Sequence, residues 1–272
     1  MVAVEEPLEL RVGGAAVATL MRTPGSDREL ALGFFFNEGW ISSAGDVGSL
    51  VLCAGRGRGD HGRGLEENVV DLIPAAGARL ESRAARPRAA ISTSSCGVCG
   101  KRTIEDVLAL TPFSTPSRGA GPPRFQSGKP PAPPPFRMER AGILRMPEAL
   151  RKGQRLFEST GAIHAAGLFD ASLRCEHIEE DVGRHNAVDK TIGWAFLEGK
   201  LPLSLRALQV SGRVSFEIVQ KAFMAGIPLI AAVSGVSSLA VDLAEVCGIT
   251  VVGFVRGESL TVYCHPERVL GL

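Results

Sequence analysis

The chain has 272 residues, 45% hydrophobic and 22% charged, a globular composition that excludes a mainly disordered or fibrous polypeptide. Lys+Arg (30) and Asp+Glu (29) nearly cancel to a net charge of +1, and aromatics are only 6%, so neither a polyanion coat nor a base-stacking surface is expected, and no nucleic-acid partner. No apolar run reaches the roughly 20 residues of a membrane span, and residues 1–7 have neither the basic nor the apolar region of a signal peptide. A cytoplasmic protein with no membrane partner is the expectation.

Residues 4–21 read as a β-hairpin: Leu8, Leu10 and Val12 alternate, Gly13-Gly14 turns, and 17–21 returns. Ser26 and Glu29 form a capping-box pattern ahead of Leu30, Ala31, Phe34 and Phe35 at helical spacing, and Gly39 stops that helix. Strands are expected at 50–53 and 68–73, joined by a Gly/Arg-rich loop at 55–64 that matches no phosphate-binding loop. Together these make a small α+β domain over residues 1–90. Residues 79–88 carry four arginines and lead into Cys96-Gly97-Val98-Cys99. A short amphipathic helix follows, with Ile104, Val107 and Leu108 inward, ended by Thr111-Pro112; then comes a Pro/Gly/Ser-rich insert at 114–135.

From residue 147 the rhythm changes. Helices are expected at 147–160 (with Gly161 behind), 184–197, 215–225 (closed by Gly226 and Pro228) and 238–247. Strands are expected at 162–169, 173–179, 207–210, 229–233 and 249–255, with a last extended piece at 260–264. Alternating helices and fully apolar strands predict an α/β domain over 91–272, with a mixed, partly parallel sheet covered on both faces.

The Cys-x-x-Cys is the strongest chemical signal. A structural zinc site needs about four ligands, and no second such pair exists, although Cys175 with His177 could complete one. A thioredoxin-type redox motif sits in an early βαβ unit, unlike this one. Two buried thiols in a glycine-rich turn, or a nucleophilic, sulfur-carrying thiolate, are the remaining readings. Cys96 precedes a helix start, whose free N–H groups and dipole favour an anion, and Lys101 and the upstream arginines add positive charge. On position, Cys96 is the first candidate nucleophile and Cys99 the second. Cys53, Cys175, Cys247 and Cys264 read as packing residues.

Three further segments lie at strand ends. In 179–190, His185 and Asp189 stand four apart, as do Asn186 and Lys190, so either surface i,i+4 pairs or a site at Arg184, His185 and Asn186 would explain the pattern. Ser211-Gly212-Arg213 with Ser215 presents N–H groups and an arginine suited to phosphate, or a plain helix cap; 234–238 repeats the ambiguity. Phe254-Val255-Arg256-Gly257-Glu258-Ser259 would share that edge if the strands are parallel, where open α/β sheets bind ligands. His164, beside an apolar run, reads as a core histidine.

The motifs Ser94-Ser95-Cys96-Gly97-Val98-Cys99-Gly100-Lys101 and Glu180-Asp181-Val182-Gly183-Arg184-His185-Asn186 closely resemble those of the FdhD family, the formate dehydrogenase accessory sulfurtransferases. Glu6-Pro7-Leu8, Met21-Arg22-Thr23-Pro24-Gly25, Glu29-Leu30-Ala31-Leu32-Gly33, Ser211-Gly212-Arg213 and Gly253-Phe254-Val255-Arg256 extend the likeness over nearly the whole chain. Two positions depart from the pattern: Thr160-Gly161-Ala162-Ile163-His164 where Thr-Gly-Gly-x-His is expected, and Ser234-Gly235-Val236 where Ser-Ala-Pro is. The resemblance implies a cytidine-deaminase-like three-layer α/β/α domain; the deaminase zinc motif is absent from the sequence, so no zinc is expected. It also implies a sulfur relay. On that resemblance a cysteine desulfurase would load a persulfide onto Cys96, and the chain would bind the molybdenum bis(molybdopterin guanine dinucleotide) cofactor, Mo-bis(MGD). Sulfur would pass to the metal before the cofactor enters formate dehydrogenase. Arg184, Arg213 and Arg256 would meet the phosphates of that ligand. A homodimer is expected. A binding-only chaperone and a zinc-stabilised interaction module are the alternative classes.

Overall fold

The computed structural model describes residues 1–53, 68–78, 104, 107 and 136–272. The 55–64 loop, the 79–88 arginines, Cys96, Cys99, Leu108, the 114–135 insert and the domain boundary near 90 lie outside the described residues.

Strands β1 (Glu6–Val12) and β2 (Ala15–Arg22) form the expected hairpin, and Gly13 and Gly14 take the positive φ values, 57° and 83°, that a two-residue turn of this hand demands. β1 also pairs in parallel with β4 (Val69–Pro74), which pairs antiparallel with β3 (Val47–Cys53), giving the order β2-β1-β4-β3. Helix α1 (Asp27–Asn37) ends as the sequence indicates: Gly39 is left-handed at φ 72°, and the N–H groups of Gly39 and Trp40 donate to Phe36 and Phe35 carbonyls. Its start differs. Ser26 is itself left-handed, at φ 53°, and its Oγ donates to Glu179 instead of capping the helix, so no capping box forms.

The second part opens with a short parallel pairing of β5 (Met138–Glu139) with the chain end, β12 (Val269–Leu270). Helix α2 (Arg140–Gly153) starts seven residues before the expected position and runs through Pro147; a break at Gln154 separates it from α3 (Arg155–Thr160). An interior proline costs a helix about 3 kcal/mol. Ile143, Met146 and Leu150 recur at helical spacing and are buried against the sheet, and at about 1.5–3 kcal/mol each they outweigh it. Then follow β6 (His164–Phe169), β7 (Cys175–Asp181), α4 (Arg184–Leu197), β8 (Ala207–Val210), α5 (Phe216–Met224), β9 (Leu229–Ala232), α6 (Ser238–Cys247), β10 (Thr250–Arg256) and β11 (Ser259–Cys264).

These strands form one mixed sheet, β11-β10-β9-β8-β6-β7, in which β8, β9 and β10 are parallel and β6, β7 and β11 run against their neighbours. Alternation along each strand sends side chains to opposite faces. Ala166, Leu168, Leu208, Val210, Ile230 and Ala232 join the core beneath α4, α5 and α6. Ala165, Ala207, Leu229, Ala231 and Val252 join the core beneath α2. The three-layer reading therefore holds.

The first core continues into the four-stranded sheet without a break, and helix α1 is its bridge. α1 and α4 cross so closely that a Cβ at Gly33 would overlap the Asp189 carbonyl, and one at Gly193 the Glu29 carbonyl. Glycine at both positions is thus required by a backbone approach, not by a turn.

Candidate functional site

The sheet topology gathers one edge. The parallel strands β8, β9 and β10 end there; β7, parallel to them in direction, also ends there; and β6, antiparallel to β8, begins there. The three turn segments are stitched together by main-chain bonds. Val214 N–H donates to Gly235 O (3.1 Å), Ser237 N–H to Val214 O (3.1 Å), and Phe254 N–H to Ser234 O (3.0 Å). Arg256 Nε donates to Val233 O at 2.9 Å. The segments at 211–215, 234–238 and 254–259 are thus neighbours, as parallel strands require.

A bulge after Gly253 turns Phe254 outward: it is 43% exposed at φ 52°, its ring lies 5.7 Å from the Arg256 guanidinium, and Gly235 sits beneath it. Val255 is fully buried in the core under α2, so only its backbone faces the edge. Gly257 is left-handed in the hairpin turn, Ser259 Oγ donates to Arg256 O, and Arg140 reaches across from α2 to the Glu258 carbonyl at 2.6 Å.

At the centre stand two arginines and two histidines. Arg184 begins α4 and Arg213 follows β8; burial, then the neighbouring Arg213 charge, pulls the Arg184 pKa below its usual value while Glu217 opposes. Arg184 Nε is buried and has no hydrogen-bond partner among the described residues, an orphan donor of the kind an anionic ligand would satisfy. His185 Nε2 lies 3.0 Å from Ser215 Oγ and 3.7 Å from Glu217 Oε2. Burial, then the charges of Lys221 and Arg184, push its pKa down to about 3, so it is neutral at pH 7. His164 was expected in the core. It is half-buried at this edge, because it is the first residue of β6 and β6 points away from the edge. Its Nδ1 lies 3.4 Å from Ser211 Oγ, and burial followed by Arg184 lowers its pKa. The signal for it was positional: the first residue of a strand antiparallel to β8 must fall at the carboxyl end of β8.

The 179–190 segment divides between the two readings. The i,i+4 pairs do not form, because α4 is buried almost all round. Asp189 instead binds Lys221 (2.7 and 2.8 Å) and Asn37 (2.7 Å), while Asn186 donates to Met21 O (2.7 Å) and Asp181 Oδ1 (2.9 Å). Asn186 is 4% exposed and fastens α4 to β2; it supports the edge from behind. Arg184 and His185 face the other way, toward Gly212 and Ser215.

Burial pushes the thiols of Cys175, Cys247 and Cys264 up to about 11, 12 and 11, which makes them packing groups and poor nucleophiles. Cys175 donates to the His177 carbonyl, and the His177 ring stacks on Trp194 with centroids 4.1 Å apart. Among the described residues no three metal-binding side chains come together, and no helix is long and apolar enough to cross a membrane.

Comparison with known proteins agrees with this architecture. The chain is 48% identical over 267 residues to the sulfur carrier protein FdhD of Mycolicibacterium paratuberculosis, covering 98% of this chain and 90% of that one. It is 44% identical over 272 residues to the protein of the same name from Nocardia farcinica, covering 98% and 87%. The crystal structure of a candidate formate dehydrogenase accessory protein from Desulfotalea psychrophila shares the fold, with a TM-score of 0.69 and 24% identity over 99% of this chain and 90% of that one. The model of the FdhD/NarQ family matches residues 3–270, and the chain belongs to that family.

Proposed function

We propose that the chain is a sulfur carrier required for formate dehydrogenase activity, with Cys96 as the carrier and the carboxyl edge of the six-stranded sheet as the seat of the Mo-bis(MGD) cofactor. Relatives named sulfur carrier protein FdhD support the first half. The observation that carries the second is the edge itself, where Arg184 and Arg213 lie together, Arg256 stands on a neighbouring turn, and Arg184 Nε lacks a partner among the described residues. A ligand with two diphosphates and guanine ends suits such an edge, since charge-assisted bonds to phosphate are the strong ones.

The chemistry asks for one accessible thiolate. Cys175, Cys247 and Cys264 are held protonated by burial. In the sequence, Cys96 precedes the expected helix and has cationic neighbours. Its thiolate attacks the outer sulfur of a desulfurase persulfide; a new S–S bond forms, the old one breaks, and the desulfurase leaves as a thiolate. In the second transfer the outer sulfur passes to the reduced molybdenum, which supplies two electrons and takes it as sulfide, while Cys96 returns as a thiolate. Cys99 assists release. The partners in this reading are a cysteine desulfurase and formate dehydrogenase, in the cytoplasm, with the chain as a homodimer and without zinc. Cells lacking this chain should regain formate dehydrogenase activity with the wild-type sequence and not with Cys96→Ala. Full recovery with Cys96→Ala would replace the carrier reading by a binding-only chaperone.

A further inference from the structure

Four features converge at the start of β6. Ser211 Oγ accepts the Ala165 N–H at 2.9 Å, which leaves its own proton free to donate. The atom next in line is His164 Nδ1, 3.4 Å away. Gly212 lies between His164 and Arg184: a Cβ there would sit 3.4 Å from both His164 Nδ1 and Arg184 Cδ, so no side chain separates the imidazole from the arginine. Finally, His164 Nε2 has no hydrogen-bond partner among the described residues, and the ring is only half-buried.

From this geometry we propose that His164 is a ligand-contacting residue of the edge, donating through Nε2–H to a diphosphate oxygen beside Arg184 and Arg213, with Ser211 fixing its tautomer. It rests on the reading that this edge seats a guanine dinucleotide, and deepens it by assigning a residue to the diphosphate. The argument is one of donor accounting. A serine that already accepts from the main chain has a proton to offer Nδ1, and with Nδ1 as the acceptor the ring proton resides on Nε2. An uncharged ring between two guanidiniums avoids a third positive charge while still supplying a donor. The facing groups are Arg184, Arg213 and Ser211 around the ring, Asp181 opposite it on β7, and His185 and Glu217 beyond Arg184. A diphosphate bridging Arg184, Arg213 and Nε2–H would also bring an acceptor toward the orphan Arg184 Nε.

The test uses the full chain and three probes in calorimetry: GDP, inorganic pyrophosphate and guanosine. His164→Asn keeps an amide near Nδ1 and loses the Nε2 donor; His164→Gln places an amide donor near Nε2. The dissociation constants for GDP and pyrophosphate should rise at least tenfold in His164→Asn and largely recover in His164→Gln, with guanosine binding unchanged. Unchanged GDP binding in a folded His164→Asn protein overturns the assignment, as does an equal loss for guanosine. If the wild-type chain binds neither GDP nor pyrophosphate, the seat of the dinucleotide falls with it; if the wild type binds both and His164→Asn does too, only this contact falls. Nitrogen-15 NMR of the wild-type imidazole gives an answer that needs no variant: Nε2–H is expected, and Nδ1–H contradicts the proposal.

Discussion

Asp181 Oδ2 lies 2.8 Å from Lys190 Nζ, with the two side chains 0% and 2% exposed. The pair is fully supplied with other bonds. Asp181 also accepts from Thr23 N, Gly183 N and Asn186 Nδ2, and Lys190 donates to the carbonyls of Thr23 and Glu180. It joins the end of β2 to the turn that launches Arg184. Removing one partner of a buried pair leaves an uncompensated charge, at a cost of about 3–5 kcal/mol. Lys190→Met should therefore lower the urea-unfolding free energy by about 3 kcal/mol, the low end because three N–H donors remain on Asp181. A loss under 1 kcal/mol would show the pair to be dispensable.

The crossing of α1 and α4 makes a second stability claim. Gly193 faces the Glu29 carbonyl with no room for a methyl group, and both partners are rigid backbone. Overpacking costs about 1–3 kcal/mol, more where nothing can yield. Gly193→Ala should reach about 3 kcal/mol, read as a drop in thermal midpoint, whereas Gly161→Ala, with open space but φ 68°, should show only the smaller strain of a left-handed alanine.

Much of this was legible in advance, and the failures share a cause. Apolar periodicity located α4 and α6 at their observed ends, because their stripes and stops lie within one segment. The partners of Asn186, Asp189 and Lys190 are not legible in the sequence, because local spacing offers only i,i+4 pairs while burial on all sides delivers them to Met21, Lys221 and Asp181. The apolar neighbours of His164 point to the core; its edge position follows only from β6 running against β8. Pro147 marks a helix start by its local chemistry, yet the burial of Ile143 and Met146 carries the helix across it.

His185 ties stability to pH. Its folded pKa of about 3 lies below the ordinary 6.5, chiefly through burial. The unfolded chain therefore binds the proton first: stability is complete above pH 6.5 and is lost as pH falls toward 3. At pH 5 the loss from this group is about 2 kcal/mol, and His164, shifted in the same direction, adds to it. His185→Gln should flatten the decline in unfolding free energy between pH 7 and pH 5 by about that amount. An identical decline in both proteins would assign it to other groups.

Arg213 and Arg256 approach the edge from two different turns, and Arg256 is already oriented by its bond to Val233 O. Hydrogen bonds to charged groups are worth about 1.5–3 kcal/mol. Arg213→Ala and Arg256→Ala should each weaken GDP binding roughly tenfold or more, measured by calorimetry. Equal affinity in both variants would remove these arginines from the site.

The central claim is that Cys96 carries sulfur. Mass spectrometry of the full chain after incubation with a cysteine desulfurase and cysteine, followed by peptide mapping, addresses it directly. A single added sulfur on the Cys96 peptide is expected, absent in Cys96→Ala and retained in Cys99→Ala. An adduct on Cys99 that survives in Cys96→Ala would reverse the assignment, and no adduct on either cysteine would contradict the sulfur-carrier account.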